Sequence, residues 1–238
     1  MTILDLKKIT LTLSRTGNPV LNQIDYEIRQ GDFVILLGSN GSGKSSLLKL
    51  LYRQYQPDAG TITFLNKPLL QYQAKEFSNK VAVLTQNCAE SLFSSLTVYE
   101  NYLLVKKRGH EDRDFFREYI ADYNPNLANK LDHTMEQLSG GEKQTLALAL
   151  RLLQPPALLL LDEHTSALDP KTSGQIMQLT QNMVERHCIT CILTTHNLDI
   201  ALRYGNRILM LREGKIFKKF DEQDKPLLSK EKLAANYY

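Results

Sequence analysis

The stretch "GSNGSGKS" (38–45) carries residue types that can hold a chain of phosphates, at the spacing G-x-x-x-x-G-K-[ST]. Gly38, Gly41 and Gly43 let the backbone curl until its N–H groups point inward at phosphate oxygens. Ser39, Asn40, Ser42 and Ser46 fill out the same cradle. Lys44 can then reach the β- and γ-phosphates, and Ser45 can bind Mg²⁺. A second chemical centre is "LLLLDE", where Asp162 and Glu163 close a run of leucines. Asp162 can hold Mg²⁺ through a water, and Glu163 can polarise an attacking water. Two acids at a strand exit could simply be solvated, but adjacent carboxylates gain from a cation, and Mg·ATP supplies one. His196 ends another apolar run and can meet the γ-phosphate; Gln86 ends a third and can reach the metal or the water. His110, His133 and His187 have no comparable context. The chemistry these residues predict is hydrolysis of a magnesium-bound nucleoside triphosphate.

Such a centre needs strands that end together. "GDFVILLG" (31–38) is near-continuously apolar, as a fully buried strand is, and "SSLLKLLYRQY" (45–55) after it reads as a helix. "KVAVLTQ" (80–86), "ALLLLDE" (157–163) and "CITCILTTH" (188–196) read as further strands. Strands alternating with helices imply a mostly parallel sheet covered on both faces, whose ligands bind at the strands' carboxyl ends. "LDLKKITLTL" (4–13) and "QIDYEI" (23–28) look like half-exposed strands, and "PDAG" (57–60) turns the chain into another, "TITFL". From about 87 to 150 the pattern becomes helical, with a capping box in "TVYE" (97–100) and a charged connection, "KKRGHEDRD" (106–114). Asp169 and Pro170 start a later helix, Gly205 closes "NLDIALRYG", and "RILMLREGKIFKKF" (207–220) is a hairpin turning at Glu213-Gly214. "LSKEKLAANYY" reads as a surface helix.

A second glycine turn, "LSGGE" (138–142), opens the helix "KQTLALALRLL". Ser139 and Glu142 fit a capping box, and the glycines leave the helix's first N–H groups unshielded, so this end would attract an anion. A second nucleotide site would need its own phosphate-loop lysine and metal ligands, and the turn carries no second motif of that kind. Symmetry resolves this: in a head-to-tail homodimer the turn of one copy covers the γ-phosphate held by the other.

In order and spacing, "GSNGSGKS", Gln86, "LSGGE", "LLLLDEHTSALD" and His196 resemble the nucleotide-binding subunit of ABC transporters, over nearly the whole chain. "LSGG" separates that family from other P-loop ATPases. The resemblance implies an α/β fold: a P-loop NTPase core with a mostly parallel sheet, an N-terminal antiparallel β subdomain and an inserted helical subdomain. On this reading 1–238 is one ABC-type ATPase domain, with 1–86 and 151–238 forming the β subdomain plus core and 87–150 the helical part. It also implies that Ser139 and Gly141 act in trans, with Gly140 and Glu142 in the same nucleotide-covering turn. Glu163 is then the catalytic base, Gln86 a link to the transport subunits, and "SALD" (166–169) a contact across the dimer. Implied partners are ATP and Mg²⁺, a twin subunit, an integral membrane permease and an extracytoplasmic solute-binding protein, with no nucleic acid. The implied location is the cytoplasmic face of the inner membrane, as a peripheral subunit. The stretch "ESLFSSLTVYENYLL" (90–104) is the expected lining of the groove that receives a permease helix.

Three features depart from the family pattern. Glu142 stands where glutamine is commoner, although both complete a capping box. His164 replaces the usual proline after the catalytic glutamate. "SRTG" (14–17) lacks the adenine-stacking aromatic, which leaves Arg15 to stack on the base, since Tyr26 comes too late and faces the core. "DEHTSALDPKT" with "ALRYGNR" resembles a subgroup of bacterial import ATPases linked to amino-acid-like solutes, aromatic amino acids included.

Bulk properties fit this reading. A composition of 42% hydrophobic and 23% charged residues is that of an ordinary globular domain. The net charge of +3 is too small to argue for nucleic acid or anionic lipid. No apolar run is long enough to span a membrane and the start has no signal-peptide core. Cys88, Cys188 and Cys191 cannot all pair, and the C-x-x-C of the last two lies in a strand-like run, as buried cysteines rather than a metal or redox site. The alternative to transport is an ABC ATPase acting as a mechanical or assembly module. Nucleic-acid work is disfavoured by a single copy of each motif and no long heptad run.

Overall fold

The structure, a computed structural model, describes residues 1–13, 17–86, 91–106 and 112–237. In chain order it runs β1 (Thr2–Leu11), β2 (Leu21–Arg29), β3 (Phe33–Leu37), α1 (Lys44–Leu51), β4 (Ala59–Phe64), β5 (Lys67–Pro68), α2 (Ala74–Ser78) and β6 (Val81–Leu84). Next come α3 (Val98–Val105), α4 (Arg113–Ala121), α5 (Pro125–Ala128), α6 (Gly140–Leu152), β7 (Leu158–Asp162) and α7 (Pro170–Arg186). The chain closes with β8 (Thr190–Thr195), α8 (Leu198–Arg203), β9 (Arg207–Arg212), β10 (Lys215–Phe220) and α9 (Lys230–Tyr237). It forms two compact units: Met1–Val83 with Ala157–Asp162 and Val184–Tyr238, and Leu84–Pro156 with Glu163–Met183.

The first unit holds two sheets. One is antiparallel, in the order β2-β1-β4-β5; the other has the order β10-β9-β3-β8-β7-β6. In the second sheet β3 lies parallel to both β8 and β9, and β7 parallel to β8. The period of two along these strands sorts their side chains. Val34 and Leu36 of β3, Leu158 and Leu160 of β7, Ile192 of β8 and Leu209 and Leu211 of β9 share one core cluster. That cluster also takes Leu47, Leu48, Leu50 and Leu51 of α1 and the inner face of the antiparallel sheet. Each such leucine stabilises the fold by about 1.5–3 kcal/mol relative to exposure. The alternate residues Ile35, Leu37, Leu159, Leu161 and Leu193 are also buried, so both faces are covered and the strands read as unbroken apolar runs.

Several boundaries differ from the sequence expectation. The helix expected over 45–55 stops at Leu51, and Arg53 takes a left-handed φ of 65°. The strand expected over 80–86 ends at Leu84, leaving Gln86 beyond it. The strand expected from 188 begins at Thr190, because α7 runs on to Arg186 and Cys188 turns the chain with a φ of 51°. Cys188 is therefore exposed in a turn, while Cys191 is buried in β8. The hairpin turns as expected: Glu213 and Gly214, both left-handed (48° and 71°), are what a two-residue turn between antiparallel strands demands. Tyr26 packs against the core cluster, partly buried.

The second unit is helical. Tyr102 of α3 and Phe116 of α4 stack with ring centroids 4.0 Å apart, both fully buried. Thr97 and Glu100 form the expected capping box at the start of α3. Asn101 is buried and fixes the preceding loop, accepting from the Phe93 N–H at 2.8 Å and donating to the Thr97 carbonyl at 3.0 Å. Of the expected groove lining, Leu92 and Tyr102 are core, whereas Phe93 is 60% exposed. Cys88, His110 and residues 107–111 of the charged connection lie outside the described residues.

Candidate functional site

In the first unit the phosphate-loop sequence leaves the end of β3 and enters α1. Gly41 and Gly43 have φ of 82° and 105°, in the left-handed region that favours glycine. A Cβ on Gly43 would lie 2.9 Å from the Val20 carbonyl oxygen, and one on Gly38 would lie 2.6 Å from that of Leu211. These glycines are therefore fixed by backbone approach as well as by curl. Gly43 is the N-cap of α1 and brings no side chain to cap it, so the first-turn N–H groups are left for a ligand. Ser39, Asn40 and Gly41 are exposed, Ser46 is half-buried, and the hydroxyl oxygen of buried Ser42 has no hydrogen-bond partner. Lys44 is 5% exposed, and its ammonium donates to the carbonyls of Gly38 at 2.8 Å and Ser39 at 3.1 Å. The cation is thus held inside the curve of the loop.

The parallel register brings a second group to this end of the sheet. Leu36 of β3, Thr194 of β8 and Asp162 of β7 occupy one row. The Thr194 hydroxyl donates to Asp162 Oδ1 at 2.6 Å, and the Ser45 hydroxyl donates to the same oxygen at 3.1 Å. Ser45 and Asp162, 117 residues apart in sequence, thus form an alcohol–carboxylate pair beside the loop, an oxygen donor set suited to a hard divalent cation. Among the described residues no group of three or more His, Cys, Asp or Glu could hold a metal on its own. His196 follows β8 directly, exposed, where Asn197 caps α8 by accepting from the Asp199 N–H at 2.8 Å.

The second unit carries the remaining candidates. Gln86 is exposed, two residues past the end of β6. Glu163 follows Asp162 directly and has a φ of 45°, a left-handed conformation that a non-glycine residue seldom adopts. Ser139 is the N-cap of α6: its hydroxyl accepts from the Glu142 N–H at 3.3 Å, and Glu142 Oε2 accepts from the Ser139 N–H at 2.9 Å. The expected capping box is therefore formed. Two features here escaped sequence reasoning. A Cβ on Gly141 would come within 2.6 Å of Thr172 Cγ2, and one on Gly140 within 3.3 Å of Leu168 Cδ2, so the glycines also make room for the start of α7. Glu142 Oε1 also accepts from the Lys130 ammonium at 2.5 Å. Burial pushes the Glu142 carboxyl up, but Lys130 and the Ser139 N–H more than offset this and hold it below its ordinary range. Ser139, Gly141, Glu142, Thr145, Thr172 and Gln175 line part of an open pocket of about 470 Å³. Asp169 caps α7, accepting from the N–H groups of Lys171 and Thr172 at 3.1 Å each. Arg15, expected at the base, lies outside the described residues.

The sequence profile of the ABC transporter family matches residues 21–166, from the start of β2 to the turn after β7. The chain belongs to the ABC transporter family. It is an ABC ATPase subunit, an ATP-binding and ATP-hydrolysing protein that serves solute transport. A relative named tyrosine transport ATP-binding protein, from Clostridioides difficile, is 32% identical over 230 residues, 92% of this chain and 91% of that protein. The methionine import ATP-binding protein MetN of Legionella pneumophila is 34% identical over 87% of this chain, which spans 61% of MetN's length. Among solved structures, CbiO1 of Clostridium perfringens, part of the ABC transporter complex CbiONQ, matches with a TM-score of 0.82 and 26% identity, over 98% of this chain and 93% of that one. An ATP-binding cassette solved as a dimer in a post-hydrolysis state with ADP and Pi matches with a TM-score of 0.76 and 28% identity, over 92% of this ABC subunit and 99% of that chain. No helix of the described residues is long and apolar enough to cross a membrane.

Proposed function

We propose that this ABC subunit works as a homodimer on the cytoplasmic face of the plasma membrane, powering import of an amino-acid-type solute through a separate permease. The observation that carries the catalytic part is the Ser45–Asp162 oxygen pair, 3.1 Å apart beside a loop that encloses Lys44. Loop N–H groups and Lys44 hold the β- and γ-phosphates, and Ser45 and Asp162 hold Mg²⁺, the carboxylate oriented by Thr194. When bound, Mg²⁺ neutralises charge on the triphosphate. Glu163 takes the proton of the attacking water, His196 and Gln86 approach the γ-phosphate and the water, and Arg15 lies against the base. Ser139, Gly140 and Gly141 of the twin cover the γ-phosphate, so ATP closes the dimer and hydrolysis reopens it.

The dimeric, ADP-bound relative supports the twin arrangement, and CbiO1, part of a larger transporter complex, supports a permease partner. Solute class follows the relatives named for tyrosine and methionine, and an extracytoplasmic solute-binding protein fits the importer class. The test is Glu163→Gln, which keeps the shape and the hydrogen-bonding reach of the side chain but removes the base. The variant should bind ATP, stall as a dimer and lose at least about a hundredfold in turnover. Hydrolysis at the parent rate would exclude Glu163 as the base.

A further inference from the structure

The Lys130–Glu142 pair has no part in the catalytic scheme above, yet it sits on the turn that scheme sends to the partner's nucleotide. A helix start carries the equivalent of about half a positive charge, which is what makes it attractive to an anion. Glu142, in the first turn of α6, places a full negative charge on that same end. Left alone, the carboxylate would offset the positive helix end and the charge of Lys143, the next residue, and weaken the turn's hold on a triphosphate. Both of its oxygens are engaged: Oε2 by the Ser139 N–H at 2.9 Å, Oε1 by the Lys130 ammonium at 2.5 Å. The carboxylate is only 13% exposed and the lysine 32% exposed, so bulk water screens the pair less than it would on an open surface. Lys130 is brought there by the end of α5, its own N–H bonded to the Leu127 carbonyl at 2.9 Å.

We propose that Lys130 is a positioning and charge-balancing residue, which neutralises Glu142 so that the Ser139–Glu142 turn can accept the terminal phosphate of the partner's ATP. A glutamine at 142 would cap Ser139 through its amide oxygen without adding charge, and would need no lysine. Residues 130 and 142 therefore work as a matched set: lysine with glutamate, or a neutral residue with glutamine. This inference rests on the proposed trans arrangement.

The experiment measures Mg·ATP-dependent dimerisation of the full chain in the Glu163→Gln background by sedimentation, alongside nucleotide-free melting. Lys130→Met should weaken the ATP-bound dimer about tenfold or more, since it leaves a partly desolvated carboxylate facing phosphate. Lys130→Arg should retain it, and Lys130→Met combined with Glu142→Gln should return to within about threefold of the parent. Undiminished dimerisation of Lys130→Met overturns the proposal. Failure of the double variant to recover also overturns it, because a lysine that touched phosphate itself, or only held the fold, would not be replaced by neutralising residue 142. If the parent never dimerises with Mg·ATP, the trans arrangement itself falls, a result distinct from either of these.

Discussion

His164, the residue that follows the proposed base, makes folding stability depend on pH in a way the structure quantifies. The ring is 2% exposed, with Nε2 3.3 Å from Thr180 Oγ1. The Thr180 hydroxyl gives its proton to the Ile176 carbonyl at 2.8 Å, so the imidazole donates from Nε2 and Nδ1 is a bare acceptor, buried with no partner. A second proton on Nδ1 would be a buried, unpaired charge, and burial accordingly drives the pKa from 6.5 down to about 4. As the pH falls below 6.5 an unfolded chain takes up a proton here and the folded chain does not. The contribution is therefore complete above the unfolded value and is lost progressively as the pH falls toward 4. The whole window is worth about 3 kcal/mol, of which about 2 kcal/mol goes between roughly pH 7.5 and pH 5. His164→Gln keeps a donor toward Thr180 and does not titrate. Urea unfolding of the nucleotide-free protein at both pH values should show the parent losing about 2 kcal/mol more than the variant. Carboxylates held low by caps, such as Glu142 and Asp169, lose stability in acid in both proteins alike and cancel in the difference. Equal losses in the two proteins would refute the reasoning.

The remaining predictions concern the two glycine turns. Gly141→Ala should destabilise the protein by about 1–3 kcal/mol in thermal or urea unfolding, because the new Cβ meets Thr172 Cγ2 at 2.6 Å. Adding Thr172→Ser removes that methyl and should recover most of the loss; no recovery would mean the close approach to α7 is not what the glycine serves. Lys44→Ala should weaken nucleotide binding by about tenfold to a hundredfold in a calorimetric titration, with the far-ultraviolet spectrum of a folded chain. Unchanged affinity would count against Lys44 lying in the phosphate cradle.

What the sequence disclosed and what it withheld divide along a physical line. Features governed by neighbours a few residues apart were legible: the capping boxes at Thr97 and Ser139, the Asp169 cap of α7 and the two-residue turn at Glu213-Gly214 all formed as read. The buried strands were legible too, because a strand covered on both faces must be apolar along its covered length, as "FVILL" and the four leucines before Asp162 are. Ser45 and Asp162 meet across 117 residues, and their meeting was foreseeable only because parallel strands deliver their ends to one edge. Strand and helix limits slipped where one residue took a left-handed turn, as Arg53 and Cys188 do, since nothing in an arginine or a cysteine announces that conformation.

The contacts that stayed hidden are side-chain partnerships without a periodic or terminal signature. Read alone, Glu142 is half of a capping box and His164 a substitution for proline. In the fold the first acquires Lys130 and the second acquires Thr180. Two of the three departures from the family pattern thus coincide with a partner twelve or sixteen residues away, on another element of the same unit. The charge that replaces a neutral residue at the helix start is met by a counter-charge, and the ring that follows the strand end is met at Nε2 by a hydroxyl. Compensation of this kind gives a practical rule for related chains: a glutamate at the position of Glu142 should be accompanied by a cation at the position of Lys130, and a glutamine there should free that position from its charge.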